Sequence, residues 1–318
     1  MARKLRIEFE GARYHVINRG YRKRHLTLPA GRVRRAANLR GFPENVGVAE
    51  AVRRCGWRLH AFVLMRNRYH LALETPRANL VEGMHWFQST MTTRFNRFRR
   101  GHLFQGRYQS IVLEDFGVLA RVVDYIHLNP VRAKVVTPER VAEYRWSSLP
   151  RFLRGPRFDD MTAKDWLRTR GQWREDPADW ERYHQHLIVP GADVEEQKRQ
   201  GLQSMSTGWA LGTNGWRRAI ARDQAHLALA PGLERVQSRE LKEAAWLRRL
   251  EEALARQGKR HDELRTRPMN LPWKLELARQ LRELGASTVW IAGHLCLGSP
   301  GSVRSYLCRG RGNQRTTA

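Results

Sequence analysis

Strand-like and helix-like patterns of apolar residues alternate along the first 130 residues. Four short apolar runs are typical of β-strands, at residues 12–18, 57–65, 69–74 and 106–113. Polar residues between the second and third runs indicate a hairpin. Two longer segments, 80–98 and 115–129, have helical spacing, and Asp115 is a residue suited to cap the second one. This order predicts an α+β domain with an antiparallel sheet.

After residue 155 the apolar residues follow mostly helical spacing. Proline and glycine within 151–160 indicate a boundary, and residues 239–255 have a strong helical pattern. We therefore predict a first domain at 1–155, a helical linker region at 156–268 and a further compact region at 269–318.

The last region has the pattern of a helix-turn-helix. Gly298 permits a turn between two helical runs, and small Ala292 permits close contact between them. The shared core would consist of Ile291, Leu295, Val303 and Leu307, and the outward residues of the second run would be Ser302, Arg304 and Ser305. A three-helix bundle with no ligand gives a similar pattern, so both interpretations stay open.

The net charge indicates which class of partner the protein binds. Lysine and arginine number 58 against 31 aspartate and glutamate, a formal charge of +27 with a pI near 11.3. Residues 1–155 contain 30 basic and 11 acidic side chains and so hold +19 of this charge. A polyanion is the expected partner, and we expect the first domain to contact its phosphates.

Other classes of protein are not favoured by the sequence. The longest apolar runs are too short to span a bilayer, and the first ten residues lack the apolar stretch of a signal peptide. We therefore expect a cytoplasmic protein with no membrane partner. The three cysteines give neither a disulfide framework nor a zinc pattern.

The helix predicted at 115–129 holds the most informative residues. Its apolar stripe contains Leu119, Val122, Val123 and Ile126, while a separate side contains Arg121, Tyr125, Asn129 and Arg132. A tyrosine between arginines can meet a phosphate, because its phenolate can attack phosphorus while guanidinium groups stabilise the charge. An interfacial tyrosine that packs its ring and exposes its hydroxyl is the alternative.

Four sequence blocks, taken together, resemble a known family. They are Tyr-His-Val-Ile-Asn-Arg-Gly at 14–20, Leu-Met-Arg-Asn-Arg-Tyr-His-Leu-Ala-Leu-Glu at 64–74, Gly-His-Leu-Phe-Gln-Gly-Arg-Tyr at 101–108 and Tyr-Ile-His-Leu-Asn-Pro-Val-Arg-Ala at 125–133. In order and spacing they resemble the REP-associated tyrosine transposases, a branch of the single-tyrosine HUH family. The resemblance covers residues 1–155 well and the remainder more loosely.

The resemblance implies a fold and a reaction. The fold would be a ferredoxin-like antiparallel sheet with helices on one face, followed by a mostly helical C-terminal region with a helix-turn-helix. The reaction would be cleavage of hairpin-bearing single-stranded DNA by a tyrosine, through a 5′-phosphotyrosine intermediate and with Mg²⁺ or Mn²⁺. Members of the family work as monomers or homodimers.

Carried over residue by residue, the resemblance makes Tyr125 the nucleophile and His70 and Asn129 metal ligands. The first histidine of the family's strand motif falls at Arg68, whose guanidinium stays protonated and repels a metal ion. Mg²⁺ or Mn²⁺ binding is therefore in doubt. No ligand-like spacing joins the remaining candidates, His15, His60 and His127, and we do not assign them to a metal.

Two functional hypotheses follow. The first is a DNA transposase impaired by Arg68, and the second is a catalytically inactive DNA-binding protein of the same fold. For either we predict DNA contacts from eight arginines: Arg19, Arg68, Arg97, Arg100, Arg107, Arg121, Arg132 and Arg304. Residues 22–43 are rich in arginine where the family has an acidic amphipathic helix, and both a solvated loop and an added DNA-binding element stay open for them.

Overall fold

The protein consists of two compact units. The computed structural model describes residues 6–21, 46–96, 101–225, 239–266 and 271–312. One unit comprises residues 6–214, and the described part of the other begins at Gly215. We call them the sheet unit and the helical unit.

The sheet unit contains five strands and eight α-helices within its described residues. The strands are β1 (Ala12–Arg19), β2 (Arg58–Met65), β3 (Arg68–Thr75), β4 (Gln109–Leu113) and β5 (Ala210–Leu211). The helices are α1 (Val46–Cys55), α2 (Leu80–Asn96), α3 (Phe116–His127), α4 (Asn129–Arg132), α5 (Leu149–Arg154), α6 (Lys164–Arg168), α7 (Pro177–Ala192) and α8 (Val194–Arg199). Two 3₁₀ helices, Pro138–Glu143 and Leu202–Ser204, complete the described elements.

The strands form one sheet in the order β2-β3-β1-β4-β5. The first four strands are antiparallel, and only β5 joins in parallel, beside β4. A strand, helix, hairpin, helix, strand sequence with this order is ferredoxin-like. The predicted α+β class and antiparallel sheet are confirmed.

Helices lie against both faces of this sheet, whereas the resemblance implied helices on one face. Consecutive strand residues point to opposite faces, and in β3 the ring of Tyr69 packs on Phe87 of α2 while the ring of His70 packs on Tyr125 of α3. Accordingly α2 and α3 lie on opposite faces, and α1 packs against α2, with Met91 beside Gly47. Burial from both sides explains why nearly every residue of β2 and β3 is buried.

Residues 156–214, which we predicted to belong to a linker region, lie within the sheet unit. Leu59 of β2 forms a bridge with Met161, and β5 pairs with β4. An aromatic cluster also crosses the predicted boundary, because Phe152 stacks on Trp180 with ring centroids 4.9 Å apart. Buried aromatic surface therefore joins the two segments into one core.

The helical unit has one core shared by most of its helices. They are α9 (Asn214–Asp223), α10 (Arg239–Arg256), α11 (Glu263–Thr266), α12 (Pro272–Glu283), α13 (Thr288–Leu295) and α14 (Pro300–Gly312). Three residues predicted for the core of the last region, Ile291, Leu295 and Val303, are buried. Leu250 of α10 is buried in the same cluster, so the predicted boundary at residue 268 separates helices that share a core.

Helices α13 and α14 are joined by a short connection. Ser287 caps α13 by accepting a hydrogen bond from the Trp290 backbone N–H, and the connection passes through left-handed Cys296 and through Gly298 at φ +76°. Gly298 occupies this conformation without the steric cost that a side chain brings. In the described ranges, no helix is long and apolar enough to cross a bilayer.

Candidate functional site

The candidate site lies where α3 crosses the sheet, and local sequence determines how α3 begins and ends. Asp115 caps its first turn by accepting a hydrogen bond of 2.7 Å from the Val118 N–H. Its last turn ends at His127, just before the Asn129–Pro130 pair that begins α4. A proline cannot donate to a preceding turn, so the long helix stops there.

Tyr125 is buried against the sheet. Its side chain is only 4 % exposed, although we predicted a place outside the apolar stripe. Two imidazoles pack on its ring edge-on, His15 at 5.6 Å and His70 at 5.5 Å between ring centroids. The guanidinium carbon of Arg132 lies 4.6 Å from the centre of the ring. A cation–π contact and two imidazoles therefore fix the position of the phenol ring.

Strand register brings His15 and His70 together. His70 on β3 is the partner of Ile17 on β1, and His15 lies two residues before Ile17, on the same face. Nε2 of His15 lies 3.0 Å from Nδ1 of His70, and Nδ1 of His15 lies 2.8 Å from the Met205 carbonyl oxygen. From the sequence we did not assign His15 to the site. Spacing within one segment does not reveal that its partner is His70, 55 residues away in the chain.

The hydrogen bonds define the tautomer of each imidazole. The Met205 carbonyl can only accept, so Nδ1 of His15 donates to it, and Nε2 of a neutral His15 then accepts from Nδ1 of His70. Nε2 of His70 therefore has a free lone pair. That atom is buried and has no hydrogen-bond partner in the described part of the chain.

Burial keeps both imidazoles neutral. It lowers the pKa of His15 to about 4, partly opposed by the hydrogen bond to the Met205 carbonyl. Burial also lowers the pKa of His70 well below its usual value, and the neighbouring His15 and the guanidinium groups of Arg68, Arg132 and Arg19 add to the effect. The positive charge on this side of the sheet therefore comes from arginines.

Arg19 and Arg68 face each other across β1 and β3. They are direct partners in the strand register and lie on the same face as His15 and His70. Arg68 is half-buried, and its Nε has no hydrogen-bond partner within the described residues. Among those residues neither arginine forms an ion pair. The buried carboxylates of Glu74 and Asp124 pair with other arginines, Arg58 and Arg170.

The side chains of this site do not fit a divalent metal. Asn129 is buried, and its amide nitrogen donates to the Tyr125 carbonyl oxygen at 3.0 Å. His70 retains one lone pair, while Arg68 adds a fixed positive charge. Within the described ranges there is no group of three histidine, cysteine, aspartate or glutamate side chains that could hold a metal ion. Mg²⁺ and Mn²⁺ prefer several oxygen ligands, which this set does not supply.

A buried polar network fixes the other side of α3. Asp124 accepts hydrogen bonds from Arg170 and from the Tyr183 hydroxyl, the latter at 3.1 Å. His127 lies between the Tyr183 hydroxyl and the Ser148 hydroxyl, each 2.8 Å away, and burial lowers its pKa to about 3. The network ties α3 to α7 and thereby holds the rotation that points Tyr125 at the sheet.

The remaining predicted site residues are dispersed. Arg107 and Arg121 are exposed on the sheet unit, and Arg304 is exposed on α14. Arg97 and Arg100 lie outside the described residues, as does the basic segment 22–43. His60 is buried beside Glu74, with Nε2 3.8 Å from a carboxylate oxygen, and lies away from Tyr125 among other partners.

Comparisons with known proteins gave one match. No protein-family model matches the chain. No curated protein matches it. A solved structure described as "Structure of the REP associates tyrosine transposase bound to a REP hairpin" matches over 55 % of this chain and 90 % of its own, with 17 % sequence identity and a TM-score of 0.39. A similarity this distant assigns no role to any residue of this chain.

Proposed function

We propose that this protein binds DNA, and that arginines of its sheet unit hold hairpin-bearing single-stranded DNA. One observation carries the proposal. Five arginines of the sheet unit form no ion pair with any described residue: Arg19, Arg68, Arg107, Arg121 and Arg132. Some other arginines do pair with a carboxylate, such as Arg140 with Glu143 at 2.7 Å.

Unpaired guanidinium groups suit a phosphate backbone. Each phosphate that an arginine neutralises releases condensed counterions, so affinity falls as salt rises. The overall charge of +27 acts in the same direction. If all five arginines contact phosphates, the logarithm of affinity should fall with the logarithm of salt concentration with a slope of about −3.5 for a single strand.

Fluorescence anisotropy with a hairpin oligonucleotide that carries a single-stranded flank tests this proposal. Replacing Arg107 and Arg121 together by glutamine should reduce the slope by about 1.4. Arg140→Gln is the matched control, because its guanidinium already pairs with Glu143. A flat salt dependence, or equal binding to an unrelated polyanion such as heparin and to the hairpin, contradicts the proposal. Tyr125→Phe should retain binding, since it removes only a hydroxyl.

Helices α13 and α14 supply a second candidate DNA contact. Arg304 and Ser305 are exposed on α14, and Ser302 is half-exposed, as a helix that reads a groove requires. We propose that α14 acts as the second helix of a helix-turn-helix. The contact adds affinity to that of the sheet unit.

Strand cleavage by Tyr125 is a second candidate function, the one that makes the protein a transposase. The position of Tyr125 favours it, because two imidazoles and Arg132 hold the phenol ring. The phenolate oxygen would attack phosphorus, the bond from phosphorus to the 3′ oxygen would break, and that oxygen would take a proton from water. The products would be a 5′-phosphotyrosine and a free 3′-hydroxyl.

The metal site that the family uses for this reaction is not matched by the residues present, so we expect the wild-type protein to cleave very slowly or not at all. Arg68→His places a second imidazole of β3 on the face that already holds His70 and His15. This variant should gain cleavage that requires Mg²⁺ or Mn²⁺ and is abolished by Tyr125→Phe. Brisk metal-dependent cleavage by the wild type, with Arg68→His no faster, would contradict the role assigned to Arg68.

A further inference from the structure

Three arginines lie on the side of the sheet where Tyr125 packs, and none of them forms an ion pair among the described residues. Arg19 and Arg68 are cross-strand partners, and Arg132 lies over the Tyr125 ring. Burial and His15 lower the pKa of His70 most, and the three guanidinium groups lower it further. Like charges directly opposite each other in a sheet are destabilising. Their arrangement is therefore most stable when an anion lies between them.

Arg68 also has an unsatisfied donor. Its Nε is buried and has no hydrogen-bond partner among the described residues. A buried donor without an acceptor costs free energy, and an arginine satisfies Nε and a terminal nitrogen together when it holds two oxygens of one phosphate. Arg68 is half-buried, so its remaining nitrogens can meet a ligand from solvent.

The histidine pair is closed to a metal ion at the same place. His15 uses both ring nitrogens, one toward the Met205 carbonyl and one toward His70. Only Nε2 of His70 has a free lone pair, and the three guanidinium groups repel a dication from it. The charge that a divalent metal would supply beside a phosphate is here supplied by arginines.

We propose that the surface beside Tyr125 is a binding site for one phosphate group, held by Arg19, Arg68 and Arg132 without a divalent metal. The identification of that phosphate as part of a DNA strand rests on the proposed function, whereas the site itself does not. The shared chemistry is a tetrahedral oxyanion, and its two sources are a backbone phosphodiester and free phosphate.

Calorimetric titration of the full-length protein in EDTA tests the site. The probes are inorganic phosphate and the dinucleotide thymidylyl-thymidine, which contains one phosphodiester. Arg68→Gln should weaken phosphate binding by roughly tenfold to a hundredfold, because it removes a charge-assisted contact. Arg132 lies outside the sheet, and Arg132→Gln should weaken phosphate binding by a similar factor. Circular dichroism should show that both variants are folded. The matched control Arg140→Gln should bind as the wild type does.

A separate measurement tests whether phosphate binding is independent of a divalent metal. Electron paramagnetic resonance with Mn²⁺ should show no stoichiometric metal binding to the wild-type protein. Phosphate affinity should be unchanged when EDTA is replaced by millimolar Mg²⁺. Stoichiometric Mn²⁺ binding, or phosphate binding that requires the metal, overturns the proposal.

The outcomes separate this inference from the proposed function. If Arg68→Gln and Arg132→Gln bind phosphate as tightly as the wild type, this surface is not the site, even when DNA still binds. If phosphate binds at this surface but neither thymidylyl-thymidine nor the hairpin oligonucleotide does, the site stands with free phosphate as its ligand and the proposed DNA function is wrong. Binding of both probes, lost in both variants, supports a backbone phosphate.

Discussion

Mild acid should destabilise the sheet unit because burial keeps three of its histidines, His15, His70 and His127, neutral. Burial lowers the pKa of His15 to about 4 and that of His127 to about 3, and it lowers the pKa of His70 well below the usual value near 6.5. In the unfolded chain these imidazoles take up protons as the pH falls below about 6.5. Their contribution to stability is therefore complete above pH 6.5 and is lost as the pH falls toward the folded-state pKa values.

The size of the effect follows from proton linkage. When the pH falls from 7.5 to 5, each of these histidines lowers the unfolding free energy by about 2 kcal/mol. The three together lower it by about 6 kcal/mol. A typical domain is stable by only about 5–15 kcal/mol. The carboxyl of Asp124 acts outside this window, because Arg170 and His186 outweigh its burial and lower its pKa, and its contribution is lost only at more acidic pH.

Hydrogen exchange resolved by mass spectrometry suits this measurement, because peptides from β1 and β3 report on the sheet unit alone. Urea titrations at pH 7.5, 6 and 5 should show the unfolding free energy of these peptides falling by about 6 kcal/mol in total. His127→Asn should remove about a third of that fall. The exposed control His85→Gln should leave it unchanged. A pH-independent stability in the wild type, or the full fall in His127→Asn, would refute the reasoning.

Three further changes test the packing and the division into units. Gly83→Ala should lower the unfolding free energy by about 1–3 kcal/mol in urea, because a Cβ there would lie 2.2 Å from a ring carbon of Trp57. Asp124→Asn should lower it by about 3–5 kcal/mol in the same assay, because it leaves the guanidinium of Arg170 buried without its counter-charge. Deletion of the chain from Gly215 onward should weaken hairpin binding in a gel shift while circular dichroism shows the sheet unit folded.

Each of these changes has a control. Gly106→Ala should be nearly neutral, because nothing lies within 4 Å of the added Cβ. Glu143→Gln breaks the exposed ion pair with Arg140 and should cost less than about 1 kcal/mol. The deletion begins at Gly215 rather than near residue 270 because the shorter deletion would expose the buried Leu250. Unchanged hairpin affinity after the deletion would show that α13 and α14 have only a structural role.

The sequence by itself determined most elements of the first 130 residues and the order in which they occur. Period-two and period-3.6 patterns predicted β1 to β4 and α2 and α3, because burial of one face or stripe acts on neighbouring residues. Capping and turn residues also act locally and could be predicted for the same reason. Examples are Asp115 before α3 and Gly298 between α13 and α14. The ferredoxin-like arrangement was predicted from the resemblance of four sequence blocks to a known family. The observed strand order agrees with it.

Tertiary structure alone decided what surrounds Tyr125. The contact between His15 and His70, and the opposition of Arg19 and Arg68, depend on the register between strands more than 45 residues apart in the chain. A shift of one residue would turn every one of these side chains to the other face, and no local pattern encodes that choice. Tyr125 is buried although it lies outside the apolar stripe of α3, because the sheet offers imidazole rings and Arg132 as partners that a single helix cannot reveal.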